Sequence, residues 1–104
     1  MKLKTLIIDD HPASIAILEE MLSDHCECSV ATSGRRGIEI FEQAQKDAEP
    51  FDVVLLDIIM PGLDGIETLK RLRKIEHASH TPQLFGQHHF ARIVMQTSSD
   101  DPKD

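Results

Sequence analysis

Three aspartates in this chain stand where short apolar runs stop. The run Leu3–Ile8 ends on Asp9 and Asp10, and the run Val53–Leu56 ends on Asp57, just ahead of a sharp turn through Met60-Pro61-Gly62. Carboxylates are a costly way to end strands that are otherwise apolar. If the two strands lie parallel and side by side, the three acids meet at one edge of a sheet. Such a cluster repels itself unless a cation sits among its members. The chemistry implied is that of a divalent metal acting on oxygen, above all on phosphate.

The rest of the chain contains the elements needed to place those acids. Leu3–Ile8 has the apolar run of a strand covered on both faces. Pro12 then suits the first turn of a helix, with Asp10 or His11 at the cap, and Ile15, Leu18 and Leu22 recur at helical spacing beside Ile17 and Met21. Cys28–Thr32 reads as a second strand. Ser33-Gly34 opens a second helix with Ile38, Phe41 and Ala44 inward, closed by Glu49-Pro50. Val53–Asp57 is the third strand. Asp64-Gly-Ile-Glu67 has the spacing of a capping box, so a third helix begins there, with Ile66, Leu69, Leu72 and Ile75 inward and Lys70, Arg71, Arg73 and Lys74 toward water. No period holds from His77 to Ala91, which reads as a loop, and Arg92–Thr97 is a fourth strand.

Strands that alternate with helices imply an α/β fold, a parallel sheet with helices on both faces. Ligands of such sheets bind outside the carboxyl ends of the strands. Asp9, Asp10, Asp57 and Thr97 all fall at that edge.

Bulk properties narrow the function classes. A chain of 104 residues is one domain, 1–104, and its 40% apolar content is enough for one core. A net charge of −7 argues against direct nucleic-acid binding or an anionic membrane surface. No apolar stretch is long enough to span a membrane, and Asp9-Asp10 interrupts anything resembling a leader, so a cytoplasmic location is expected. Cys26 and Cys28 read as reduced thiols rather than a redox pair or half of a zinc site. His77, His80, His88 and His89 read as solvated histidines, with no helical pair among them to hold a metal.

The residues also carry a family resemblance. Ile7-Ile8-Asp9-Asp10-His11-Pro12 resembles the acidic pair after the first strand of response regulator receiver domains. The segment from Asp52 through Asp57 to Gly65 resembles their phosphoacceptor region almost position for position, and Ile93 to Ser98 resembles their fourth strand with its terminal hydroxyl. The resemblance covers nearly the whole chain. It implies a flavodoxin-like doubly wound sheet in the order 2-1-3-4, with a fifth strand and last helices missing from the sequence. It implies that Asp57 accepts a phosphoryl group from a histidine kinase or phosphotransfer protein. Asp10 would bind Mg²⁺ directly, Asp9 through a water, and the backbone carbonyl of Ile59 would complete the protein's share. Thr97 would close on the phosphoryl oxygens and report their presence. The family's lysine after the fifth strand has no counterpart, and its role is not carried to Lys103.

Simpler readings stand beside these. Asp57 could be an ordinary acid at a strand end, Asp9 and Asp10 could serve only to cap the helix, and Thr97 could bond its own backbone. Pro61-Gly62 shapes the turn and carries no chemistry. His11 starts the helix, though it stands close enough to the acids to affect a metal's pH response. Ile59 and Ser99 resemble the family's variable positions that set the lifetime of the phosphoryl group, and an apolar Ile59 implies slow hydrolysis. A phosphatase with Asp57 as nucleophile would want a second acid at position 59, where Ile59 stands. No enzymatic turnover of an external substrate is therefore expected. A phosphorylation-independent interaction module is the other alternative. With the fourth strand as an exposed edge, homodimerisation or strand exchange is also expected.

Overall fold

The computed structural model describes residues 2–57, 65–78 and 91–96. Four strands, β1 (Leu3–Ile8), β2 (Cys26–Ala31), β3 (Val53–Asp57) and β4 (Arg92–Gln96), alternate with three helices, α1 (Pro12–Leu22), α2 (Gly34–Lys46) and α3 (Gly65–Ala78). All pairings are parallel, in the order β2-β1-β3-β4. The expected α/β architecture and strand order are therefore present.

Period-two alternation divides the central strands between two faces. Leu6, Ile8, Val54 and Leu56 point to one side, where they join Phe41 and Ala44 of α2 and Leu72 of α3 in the main core. Phe51 closes the bottom of this core, with its ring 6.3 Å from that of Phe41 and the Lys4 ammonium 5.1 Å from its centroid. Thr5 and Ile7 face the other side, where α1 packs against β2 and buries Ile15. Cover there is thinner. Ile7, Leu55 and Val94 are register neighbours across three strands, yet exposure rises from 0% at Ile7 to 43% at Val94 on the edge strand β4.

Local chemistry explains most element ends. Ser33 caps α2, its hydroxyl accepting from the Arg36 amide at 3.1 Å. The helix stops at Lys46, ahead of the expected Glu49-Pro50, because Ala48 adopts a left-handed φ of 60° and the Ala48 and Glu49 amides return to the carbonyls of Gln45 and Ala44. Strand β2 starts two residues earlier than Cys28 and ends at Ala31. Cys26 and Glu27 pair with Leu3 and Lys4, which the exposed Glu27 side chain conceals in sequence. At the lower edge, Asp52 ties three strands together. Its carboxylate accepts from the Lys4 amide at 2.8 Å, its own amide donates to the Lys4 carbonyl at 2.7 Å, and its carbonyl accepts from Arg92 at 2.9 Å.

Helix α3 places Leu72 in the core with Leu69 and Ile75 packed against it, as expected, and corrects the expected inward face at Ile66 alone. Ile66 is 50% exposed, whereas Gly65, Thr68, Leu72 and Glu76 are buried. At about 100° per residue, strict three-residue spacing drifts, so Ile75 lies about 180° around the helix from Ile66. The buried set falls within an arc of about 80°. Arg73 is also not a purely solvated cation. Its guanidinium donates at 2.7 Å to buried Glu76 and at 3.0 Å to the Ala91 carbonyl, and the Ala91 amide donates to Glu76 at 2.7 Å. This arrangement fastens the start of β4 to α3. Lys70, Arg71 and Lys74 are exposed as expected.

Candidate functional site

The upper edge of the sheet carries the acids. Ile8 pairs with Leu56, so Asp9 and Asp57 are the next residues along adjacent parallel strands. The Asp9 amide donates to the Ala31 carbonyl at the end of β2, 3.0 Å away, which fixes the backbone where β1 gives way to the turn. Gly37 of α2 lies over Ile8, so close that a Cβ there would come within 2.5 Å of the Ile8 Cδ1. Glycine at this position lets α2 press on the residue just before the acid pair.

Asp57 is fully buried and Asp9 is 1% exposed, while the Asp10 side chain keeps 26% exposure. One ligand atom from each of Asp9, Asp10, His11 and Asp57 can be chosen so that all lie within 4.8 Å of one another. The N-cap of α1 is His11, one of the two caps expected, so neither Asp9 nor Asp10 occupies that position. Asp9 Oδ1 accepts from the His11 amide at 2.9 Å, but the buried Asp9 Oδ2 has no hydrogen-bond partner among the described residues. A carboxyl oxygen out of water and without a donor calls for a partner, which a cation would supply. The three carboxylates of the set fit a hard divalent cation, which prefers oxygen ligands.

His11 is the member that sequence reasoning undervalued. Its Nδ1 lies 3.2 Å from Asp9 Oδ1, 2.9 Å from Asp10 Oδ1 and 3.7 Å from Asp57 Oδ2. Its pKa is raised above 6.5, chiefly by the hydrogen bond to Asp9, with the charges of Asp10, Asp9 and Asp57 adding to this and partial desolvation opposing it. The available signal was position: a histidine directly after the acid pair and before the helix proline cannot be far from either.

Of the other expected site residues, Ile59 and Thr97 lie outside the described residues, as do Pro61, Gly62, Asp64, His80, His88, His89, Ser99 and Lys103. Thr97 follows Gln96, which pairs with Asp57. Cys26 and Cys28 are free thiols, and burial pushes the Cys28 thiol up, which disfavours the reactive thiolate. His77 is exposed. Among the described residues no helix is long and apolar enough to cross a membrane.

Comparison with known proteins gives a consistent result. The family model for the response regulator receiver domain matches residues 5–102. A probable cyclic di-GMP phosphodiesterase of Vibrio cholerae is 36% identical over 80 residues, covering 77% of this chain and 17% of that protein. The nitrate/nitrite response regulator protein NarL of Escherichia coli is 38% identical over 72 residues, covering 66% of this chain and 31% of that one. The chain thus spans less than a third of the length of either relative. Among solved structures, chemotaxis protein CheY4 of Vibrio cholerae superposes with a TM-score of 0.71 at 27% identity, over 99% of this chain and 74% of that one. The receiver domain of the histidine kinase CKI1 from Arabidopsis thaliana, complexed with Mg²⁺, gives 0.73 at 20% identity, over 94% and 69%.

Proposed function

The chain belongs to the response regulator receiver domain family, and from that premise we propose that it is a phosphoacceptor switch of two-component signalling, with Asp57 as the acceptor and Mg²⁺ as the cofactor. The observation that carries the reading is the buried Asp57 carboxylate at the end of β3, with oxygens of Asp9 and Asp10 within 4.8 Å of it. Phosphoryl transfer requires alignment and charge neutralisation more than covalent machinery. When bound, the cation supplies the neutralising charge.

The chain's own residues do the rest. Asp9 and Asp10 would hold the cation, the Asp9 backbone being anchored to Ala31. Asp57, kept from water, supplies the attacking oxygen. A bond forms between that oxygen and phosphorus while the phosphorus–nitrogen bond of a phosphohistidine breaks, its electron pair leaving on the imidazole. The product is an acyl phosphate that adds about one to two negative charges to an already acidic pocket. Thr97 is proposed to donate its hydroxyl to the new oxygens, and the Ile59 carbonyl to join the cation's ligands. Movement of Thr97 toward the phosphoryl group would be the switch. The donor in this reading is a histidine kinase or phosphotransfer protein in the cytoplasm. The outer edge of β4, the last strand in the sheet order among the described residues, is where a second copy would add. No turnover of an external substrate is part of the function.

The test is incubation with acetyl phosphate, or with beryllofluoride as a phosphoryl mimic, in the presence of Mg²⁺. A stable covalent phosphate by intact mass, and amide shifts around the acid pocket that Asp57→Asn abolishes, are expected. Continuous release of phosphate would point to a phosphatase. No response in wild type would leave a receiver-like interaction module.

A further inference from the structure

His11 is the one member of the cluster that the receiver reading leaves without a role. It occupies the N-cap of α1, where Ser, Thr, Asp or Asn is favoured because a side-chain oxygen can accept from the first free amides. The His11 side chain makes no such bond. Its ring turns back toward the acids, and one nitrogen stands near carboxylates from two strands, 2.9 Å from Asp10 Oδ1, 3.2 Å from Asp9 Oδ1 and 3.7 Å from Asp57 Oδ2.

Two further observations point to a shared ligand. Asp9, 1% exposed, holds Oδ2 in the cluster without a hydrogen-bond partner among the described residues. Asp10 Oδ1 is likewise buried without a hydrogen bond, although Nδ1 is only 2.9 Å away. The same Nδ1 is hydrogen-bonded to Asp9 Oδ1 at 3.2 Å, through a proton that a bound ion would displace. Its close approach to Asp10 Oδ1 without donor alignment is how two ligands of one ion meet, since each aims at the common centre. The spacing agrees. Ligand atoms about 2.1 Å from one octahedral ion are about 3.0 Å apart at adjacent vertices and about 4.2 Å apart at opposite ones. All three Nδ1 distances are compatible with that range.

We propose that His11 Nδ1 is a further metal ligand, making the pocket a mixed nitrogen–oxygen centre that accepts Co²⁺ or Zn²⁺ as well as Mg²⁺ and binds them more tightly than its three carboxylates alone would. The inference rests on the reading of Asp9, Asp10 and Asp57 as a cation site and adds the class of ion. Imidazole is a borderline donor that suits Zn, Cu, Ni and Fe, whereas Mg²⁺ selects oxygen and keeps its waters. A nitrogen in the first coordination sphere therefore raises affinity along the transition series and does little for Mg²⁺.

The test combines calorimetric titration of the full chain with Mg²⁺ and with Co²⁺, in wild type and His11→Ala, with pulsed EPR of the Mn²⁺-loaded protein. His11 is half exposed, so the variant retains the fold, which circular dichroism checks. Expected are electron spin-echo modulation from a bound ¹⁴N that His11→Ala removes, and a loss of Co²⁺ affinity of about tenfold or more with Mg²⁺ affinity unchanged. Equal Co²⁺ affinity in the two proteins and no nitrogen modulation would overturn the inference. If Mg²⁺ still bound and Asp57→Asn weakened it, the cation site itself would stand. Wild type that bound neither Mg²⁺ nor Mn²⁺ would remove both.

Discussion

Replacing Asp9 with asparagine tests the electrostatics of the pocket most directly. The change is nearly isosteric. The new side chain keeps the oxygen that accepts from the His11 amide at 2.9 Å, and its amide nitrogen replaces the unpartnered Oδ2 with a donor. The charge is what disappears. Ligand oxygens of Asp9, Asp10 and Asp57 lie within 4.8 Å of one another. At that separation and an effective dielectric of about 20, each carboxylate pair repels by at least about 3.5 kcal/mol. Solvent at Asp10 screens part of this, and attraction to a protonated His11 is lost with Asp9, so a net stabilisation of about 2 kcal/mol is expected without metal. For a domain of this size that is a rise in Tm of roughly 8–16 °C.

The effect must depend on pH in a stated direction. His11 has a folded-state pKa raised above 6.5, so its stabilising contribution is complete below 6.5 and lost as pH rises through the raised value. With less counter-charge in wild type at higher pH, Asp9→Asn stabilises more at pH 8 than at pH 6. Saturating Mg²⁺ reverses the order, because only wild type gains the full binding linkage. The assay is thermal unfolding by circular dichroism, in EDTA and in Mg²⁺, at both pH values. If the Asp9→Asn variant were no more stable than wild type in EDTA at pH 8, the three carboxylates would not be in mutual repulsion and the pocket geometry would be wrong.

Three further outcomes concern the frame around the site. Glu76→Gln leaves the Arg73 guanidinium and the Ala91 amide facing an uncharged partner in a buried position, and urea unfolding is expected to show a loss of about 2–3 kcal/mol, below the full value for a buried pair because the Arg73 side chain is partly exposed. Gly37→Ala drives a methyl group into Ile8, for an expected loss of about 1–3 kcal/mol in the same assay and a weaker hold on Mg²⁺, since Ile8 carries Asp9. Ala48→Gly relieves the left-handed backbone at φ 60° and is expected to add about 0.5–1 kcal/mol, measured as a higher urea midpoint with unchanged slope.

The residues that sequence reading placed correctly share a physical property: their signal is local. A strand that must be dry on both faces is written as an apolar run, and the acid that ends it is visible as Asp9 or Asp57. Parallel strands that alternate with helices then bring those ends to one edge, so the acid cluster followed from pattern and topology alone. Part of what went unread depends on contacts distant in sequence. The burial of Glu76 is decided by the Ala91 amide, fifteen residues away, and nothing in the helix itself announces it. The exposure of Ile66 follows from the angular drift of three-residue spacing, and β2 begins at Cys26 because Leu3 is there to pair with it.

Sequence by itself therefore determined the class of fold, the strand order through its family likeness, and the three acids. Tertiary structure alone decided which oxygens are left without a donor, and that the His11 ring turns into the pocket instead of capping its helix. Both are matters of direction. A chain pattern specifies which residues arrive at an edge, but the orientation of an imidazole or a carboxylate is set by neighbours on other strands, and orientation determines what the assembled groups can bind.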